Sequence, residues 1–328
     1  MQSYWMQMTD TDTVLALRDI PVPEAGPQQL LVRMQAAALN RGEFLQGHGL
    51  HGKADSWQSI GGEGAGQVVA VGPGVTGWQP GDRVMGRCAG AFAEYALMEA
   101  AEAIAVPQGL SWEQAASIPL TFLVAFDMLV LQGRLTAGEW LLINGVSSGV
   151  GVATLQLGKA LGARVIGTSG SADKLALLQH LGLDVALCTR APDFASAVMD
   201  VTGQHGADLV VNTVGGSVFA ESLRTLAFEG RLATVGYVDG VVQAQVDLEA
   251  LHAKRLTLFG VSNKLRSKAQ RAAAVPRFVA QVMPLIADGR LRPQIDRVMD
   301  FAQLPDAKAR MEGGAHVGKI VLRMPAVP

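Results

Sequence analysis

From Trp140 onward, short and almost wholly apolar runs alternate with longer stretches of helical periodicity. The runs fall at 141–143, 164–167, 185–187, 208–211, 232–236 and 256–260, with helical stretches at 174–180, 194–201 and 217–228. Strands that are apolar on both faces belong in a parallel sheet covered by helices on both sides. Upstream the pattern differs. β-like runs at 30–34, 66–71 and 82–85 are separated by turns such as Val71-Gly72-Pro73-Gly74 and Trp78-Gln79-Pro80-Gly81-Asp82, which predicts a twisted antiparallel or barrel-like domain. A last apolar run, Gly318-Lys319-Ile320-Val321-Leu322, predicts a terminal strand that rejoins this first domain. The expected divisions are 1–121, 122–265 and 266–328: an α/β chain in which a β-rich domain is split around a doubly wound parallel sheet.

The first run of the sheet leads straight into Asn144-Gly145-Val146-Ser147-Ser148-Gly149-Val150-Gly151. Glycines at 145, 149 and 151 allow a tight turn and close backbone approach to a pyrophosphate, and a helix starting near Gly149 offers it free N–H groups. The same residues also fit an ordinary strand-turn-helix connection. After a helix that closes at Gly162 comes a second strand, ending in Thr168-Ser169-Gly170-Ser171-Ala172-Asp173-Lys174. An unphosphorylated dinucleotide is usually held here by a carboxylate, about 20 residues past the glycines. Ser169, Gly170 and Ser171 occupy that place instead and Lys174 adds a positive charge, which favours NADPH over NADH. Asp173 is the competing feature: it either faces the ribose or sits in the first turn of the next helix, where the dipole favours it.

Composition narrows the remaining classes. With 27 basic and 29 acidic residues and no basic stripe interleaved with aromatics, the chain gives no support to nucleic-acid binding. No apolar run reaches the roughly 18 residues of a membrane span and no basic leader precedes one, so a cytoplasmic protein without membrane insertion is expected. Two cysteines, Cys88 and Cys188, are too few for a disulfide framework and are expected to be reduced and buried.

The run Ile60-Gly61-Gly62-Glu63-Gly64-Ala65-Gly66-Gln67-Val68-Val69-Ala70-Val71-Gly72-Pro73-Gly74-Val75, followed by Pro80-Gly81-Asp82-Arg83-Val84, resembles the medium-chain dehydrogenase/reductase superfamily. The likeness extends over essentially the full length. Together with Ser148-Gly149-Val150-Gly151 and Leu291-Arg292-Pro293-Gln294-Ile295-Asp296-Arg297, it points to the zinc-free NADPH:quinone oxidoreductase (zeta-crystallin-like) branch. That resemblance implies a GroES-like β-rich catalytic domain, a Rossmann domain inserted into it, NADPH as hydride donor, and a homodimer formed by pairing the last Rossmann strand, 256–260, edge to edge. It also implies no metal. The superfamily's ligand histidine is replaced by Gly62, the early cysteine is absent around Asn40, and Glu63 is left as a structural carboxylate or one beside the site.

The resemblance further assigns Asn40 to the cleft, where it binds a carbonyl or the nicotinamide side; a turn cap is the alternative. His51 lies near a position often held by a substrate-side tyrosine, so it either faces the substrate or is an exposed loop histidine. Val124 replaces a frequent threonine and contributes shape. Asn144, Gly145, Ser148, Gly149, Val150 and Gly151 belong to the cofactor turn, and Asn212, Val214, Gly236 and Tyr237 to loops lining the nicotinamide half. Thr189 stands where a tyrosine often helps hold the adenosine phosphate. Phe259, Gly260, Val261 and Ser262 border the nicotinamide, and Lys319 either reaches the cofactor phosphate or is a surface lysine. The expected activity is NADPH-dependent reduction of a quinone or related conjugated carbonyl, with Asn40 and His51 as catalytic candidates. Enoyl or activated-alkene reduction, and a non-enzymatic NADPH sensor, are the alternatives.

Overall fold

The computed structural model describes residues 1–8, 13–44 and 56–325. Its strands are, in chain order, β1 (Gln2–Met8), β2 (Thr13–Asp19), β3 (Gln29–Ala38), β4 (Gln58–Ser59), β5 (Glu63–Val71), β6 (Arg83–Arg87), β7 (Tyr95–Glu99), β8 (Ile104–Ala105), β9 (Trp140–Asn144), β10 (Arg164–Ser169), β11 (Val185–Cys188), β12 (Ala207–Asn212), β13 (Leu226–Thr234), β14 (Thr257–Gly260), β15 (Ile295–Asp300) and β16 (Lys319–Arg323). The chain divides into two units, Met1–Leu123 with Asn263–Pro328, and Val124–Ser262. These breaks lie within a few residues of 121/122 and 265/266.

The first unit is β-rich. Among the described residues its larger sheet runs β15-β16-β3-β5-β6-β8, with β7 also pairing β3, and a smaller sheet runs β2-β1-β4. The terminal strand β16 lies antiparallel to β3, opposing Val321 to Ala38 and Leu322 to Ala37, so the end of the chain closes this unit. Its core gathers Tyr4, Met34, Phe44, Phe92, Phe301 and Leu322. The pairing of β3 with β5 shifts register twice, between Leu31 and Val32 and between Met34 and Ala36. Such bulges bring backbones close together. A Cβ on Gly66 would collide with the Arg33 carbonyl, and one on Gly64 would lie 2.8 Å from the Ala36 oxygen, which is why the strand reads Gly64-Ala65-Gly66.

The second unit is a parallel sheet in the order β11-β10-β9-β12-β13-β14. The central strands β9 and β12 carry the apolar runs 140–143 and 209–211 because both faces are covered, and Leu142, Ile166, Val210 and Leu232 pack against Phe194, Val198 and Leu223. Chain order reverses between β9 and β12, so the loops leaving their carboxyl ends open at a topological switch point, the usual ligand position in such sheets.

The helices that matter here are α1 (Trp112–Ala116), α2 (Pro119–Phe126), α3 (Gly149–Ala160), α4 (Ala172–Leu178), α5 (Ala195–Val201) and α6 (Phe219–Arg224). Two differ from expectation. The helix expected over 217–228 ends at Arg224, because Thr225 folds its hydroxyl back onto the Ser222 carbonyl at 2.7 Å and gives its own carbonyl to Ala207 N–H, drawing the chain into β13. The helix expected at 174 begins at Ala172, since the Ser171 hydroxyl caps it by accepting from Lys174 N–H at 3.4 Å. Cys188 is exposed, contrary to expectation, because β11 is an edge strand. No helix among the described residues is long and apolar enough to cross a membrane.

Candidate functional site

In the second unit, β9 ends at Asn144 and the chain turns through Gly145 at a φ of +74°. A Cβ there would lie 2.5 Å from Thr213 Oγ1, and one on Gly151 would lie 2.5 Å from the Gly145 carbonyl oxygen. These glycines let α3 start directly over the sheet edge. Ser148 caps it, accepting from Gly151 N–H at 3.0 Å, which leaves the N–H groups of Gly149 and Val150 without an intrahelical partner. The positive end of a twelve-residue helix therefore faces outward beside a backbone with no side chain to block it. That cradle fits a dinucleotide pyrophosphate.

The neighbouring β10 ends in Ser169, Gly170 and Ser171. Asp173 lies exposed in the first turn of α4, while Lys174 is half-buried. Arg190 is a feature the sequence reading missed: its side chain lies directly over Gly170, in the space a Cβ there would take. The signal was available, since the second residue after a parallel strand next to β10 returns to the same crevice. Thr189 is tied into its own turn, donating to Asp193 Oδ1 at 2.7 Å and accepting from Ala191 N–H at 3.0 Å.

The asparagines that end β9 and β12 hold the neighbouring backbone in place. Asn144 donates to Ser222 Oγ at 2.7 Å and accepts from Thr168 Oγ1 at 3.2 Å. Asn212 donates to the Gly215 carbonyl at 2.8 Å and accepts from Val214 and Gly215 N–H, shaping the loop after β12. The loop after β13, which carries Gly236 and Tyr237, is tied to it through Asp239, whose carboxylate accepts from the backbone and hydroxyl of Ser217. Burial raises the Asp239 carboxyl, but these hydrogen bonds and those from Val241 outweigh it and hold it below the usual range. Phe259 and Gly260 lie on the edge strand β14, and Val261 is buried, giving its N–H to the Thr234 carbonyl at 2.9 Å, while Ser262 is exposed. Val124 is buried within α2.

In the first unit a polar cluster is built on Asn40, Glu43, Glu63 and Lys319. Lys319 is buried rather than on the surface, and its ammonium donates to Leu39 O at 2.7 Å, Asn40 Oδ1 at 2.8 Å and Glu63 Oε1 at 2.7 Å. Asn40 Nδ2 in turn donates to Glu43 Oε1 and Glu63 Oε1, each at 3.0 Å. The second Glu63 oxygen accepts from Leu120 N–H at 2.7 Å, so the carboxylate also anchors the first turn of α2. Glu43, missed by the sequence reading, accepts from Gly62 N–H at 3.1 Å. Burial pushes its carboxyl up to about 7 against the pull of Asn40 and Lys319, with Glu63 adding to the rise. The same surroundings push the nearby Cys88 thiol far up, through burial first and then the charge of Glu63. Asn40 thus has its amide engaged on both sides, and only its partly exposed edge remains for a ligand. His51 lies outside the described residues.

These residues do not fit a catalytic zinc. Gly62 has no side chain to offer, the Lys319 charge already occupies Glu63, and Cys88 is held as a neutral thiol. Among the described residues no three His, Cys, Asp or Glu side chains are grouped to hold a metal ion.

Comparison with known proteins places this geometry. Residues 26–108 match the family described as alcohol dehydrogenase GroES-like domain, and residues 149–278 the family described as zinc-binding dehydrogenase. The spectinabilin polyketide synthase system protein NorB of Streptomyces orinoci is 35% identical over 323 residues, which cover 97% of this chain but 14% of that protein. The chain thus spans a small part of such curated relatives. Among solved structures, mycobacterial Rv1454c complexed with NADPH superposes with a TM-score of 0.89 at 30% identity, covering 98% of this chain and 100% of that one. A quinone oxidoreductase of Pseudomonas syringae pv. Tomato DC3000 gives 0.87 at 28%, covering 98% and 100%. The CurK enoyl reductase gives 0.85 at 26%, covering 99% and 100%.

Two outcomes follow from the cluster. Lys319→Met strands the buried Glu63 charge and is expected to destabilise the protein by about 3–5 kcal/mol in denaturant titration. The raised Glu43 carboxyl keeps its proton in the folded state after the unfolded state has lost it, so its contribution to stability declines from about pH 4.5 to about pH 7 and is level above. Glu43→Gln removes that decline. Its stability relative to wild type should therefore be roughly 1–3 kcal/mol more favourable at about pH 8 than at about pH 4, read from unfolding free energies at the two values.

Proposed function

This chain belongs to the medium-chain dehydrogenase/reductase superfamily of oxidoreductases, and from that premise we propose that it reduces conjugated carbonyl acceptors, quinones or enones, with NADPH and without zinc. The observation that carries the reading is the Lys319–Glu63 pair, which fills with an internal cation the place where metal chemistry would need an open one. Without a metal, charge developing on a substrate oxygen must be met by hydrogen bonds and spread by the substrate itself. Quinones and α,β-unsaturated carbonyls do this through conjugation.

NADPH, when bound, supplies the hydride. The chain's own part is to hold the dinucleotide and to orient the acceptor. Gly149 and Val150 offer their N–H groups, and the helix its dipole, to the pyrophosphate. Lys174 and Arg190 bring positive charge to the end of β10, beside the exposed Asp173 in the first turn of α4, and this pair of cations supports a 2′-phosphate as the group recognised. Asn40 is held in a fixed orientation by Lys319 and the two glutamates, which supports its assignment to the acceptor. The exposed edge of β14 is the natural partner for a second copy of itself, which supports a homodimer.

A second reading is favoured by the likeness to a polyketide synthase system protein and to the CurK enoyl reductase: reduction of an activated alkene, with hydride arriving at carbon β to the carbonyl. Anaerobic oxidation of NADPH, with NADH in parallel, against 1,4-benzoquinone and a simple enone separates the readings when products are identified by mass. Hydroquinone is the expected product; a saturated ketone alone selects alkene reduction, and tight NADPH binding with no turnover of either rejects both.

Cofactor preference has its own test. Aspartate caps a helix as well as serine does, so Ser171→Asp keeps α4 in place while setting a negative charge beside the nucleotide. The Michaelis constant for NADPH should rise about tenfold or more with that for NADH little changed, and Arg190→Ala should act in the same direction. An equal effect on both cofactors removes this account of preference.

A further inference from the structure

Two carboxyl groups share one cation in the first unit, and the hydrogen bonds divide them unequally. Lys319 gives its three protons to Leu39 O, Asn40 Oδ1 and Glu63 Oε1, leaving none for Glu43. Glu63 receives the ammonium, the Asn40 amide and the Leu120 N–H across both its oxygens. Glu43 receives only neutral donors, the Asn40 amide and the Gly62 N–H, and both fall on Oε1. Its Oε2 is sealed from solvent and has no partner among the described residues.

An anionic oxygen in that position is unsolvated, whereas a carboxyl proton on the same oxygen removes the charge that needs solvation. The other charged groups nearby, among the described residues, do not compensate. Arg41, on the same turn, reaches away to the Glu312 carbonyl at 3.0 Å. Arg87 faces Glu102 at 4.0 Å, and Cys88 is a neutral thiol. Lys319 is already paired, and Glu63 repels a second negative charge.

We infer that Glu43 carries the proton that keeps the Asn40–Glu43–Glu63–Lys319 cluster electrically neutral, and that losing it sets the alkaline limit of substrate reduction. This rests on the function proposed above. Hydride addition to a conjugated carbonyl moves an electron pair onto the substrate oxygen, which then takes a proton from solvent. A neutral cluster beneath Asn40 permits that charge to develop; a cluster carrying one net negative charge opposes it at short range in a water-poor setting. Glu43 is therefore a positioning residue acting through Asn40 and through the field at its amide. The upward shift of its carboxyl, caused first by burial, places the change near neutral pH.

The test has two arms, both on the full chain. Infrared difference spectra of the protein without cofactor, recorded across a pH titration, should show a neutral carboxyl band that survives past the range of ordinary glutamates and disappears near neutrality; Glu43→Gln should lack it. In the second arm, kcat/KM with NADPH and the acceptor that is turned over should fall about tenfold between about pH 6 and about pH 8.5 in wild type. In Glu43→Gln the ratio of the two values should approach one, whatever the absolute rate. A merely structural role lowers the rate equally at both pH values and leaves the ratio as in wild type, which overturns the inference. Absence of a late-titrating carboxyl in wild type overturns it too, even if the variant does not fold. Should no acceptor be reduced at any pH, the proposed function fails and the kinetic half of the inference with it, while the infrared arm still decides where the proton resides.

Discussion

The Lys319–Glu63 ion pair is the contact on which the first unit depends. It joins the start of the terminal strand to the start of β5, two segments far apart in sequence, and both partners are almost wholly buried. A buried pair is tolerated only when its remaining hydrogen-bonding capacity is met. Here it is: the lysine finds a backbone carbonyl and an amide, and the glutamate finds an amide and the free N–H at the head of α2. The outcome is one junction that fixes β16 against β3, sets the first turn of α2 and orients Asn40.

The second unit relies on a different constraint, absence of side chains. Gly145 is needed for its positive φ and Gly151 because backbone oxygens occupy the space a Cβ would take, while the bare Gly170 gives Arg190 room to lie across it. The same close approach that packs helix on strand also exposes the helix N–H groups to an anion. Packing and anion binding are thus consequences of one local geometry, and a substitution that spoils one spoils the other.

Much of this was legible in the sequence because it is local. The glycine turn at 145–151 and the apolar strands of the sheet each follow from short-range rules, and the parallel sheet and β-rich unit were expected from them. The apolar run at 318–322 extended that reading to the split domain, and the resemblance carried by residues 60–84 implied the same division. What escaped it depends on contacts distant in sequence. Lys319 could be read as a surface residue since nothing near it announces Glu63, and Glu43 carried no signal beyond standing three residues after Asn40. The end of α6 was misjudged for the same reason: Thr225 is drawn from helix to sheet by Ala207, 18 residues earlier in the chain. Arg190 was passed over because its role comes from lying across a glycine of the adjacent strand.

The cap on α4 has an evolutionary consequence. Serine, threonine, aspartate and asparagine all stabilise a helix start to a similar degree, so the position proposed to face the nucleotide ribose can change its charge while the helix behind it keeps its stability. Most residues that decide specificity are bound into the packing around them, and altering them risks the fold. At Ser171 the two demands are uncoupled. On the proposed role of Ser171, a lineage carrying this fold drifts from one nicotinamide cofactor toward the other by single substitutions without crossing an unstable intermediate.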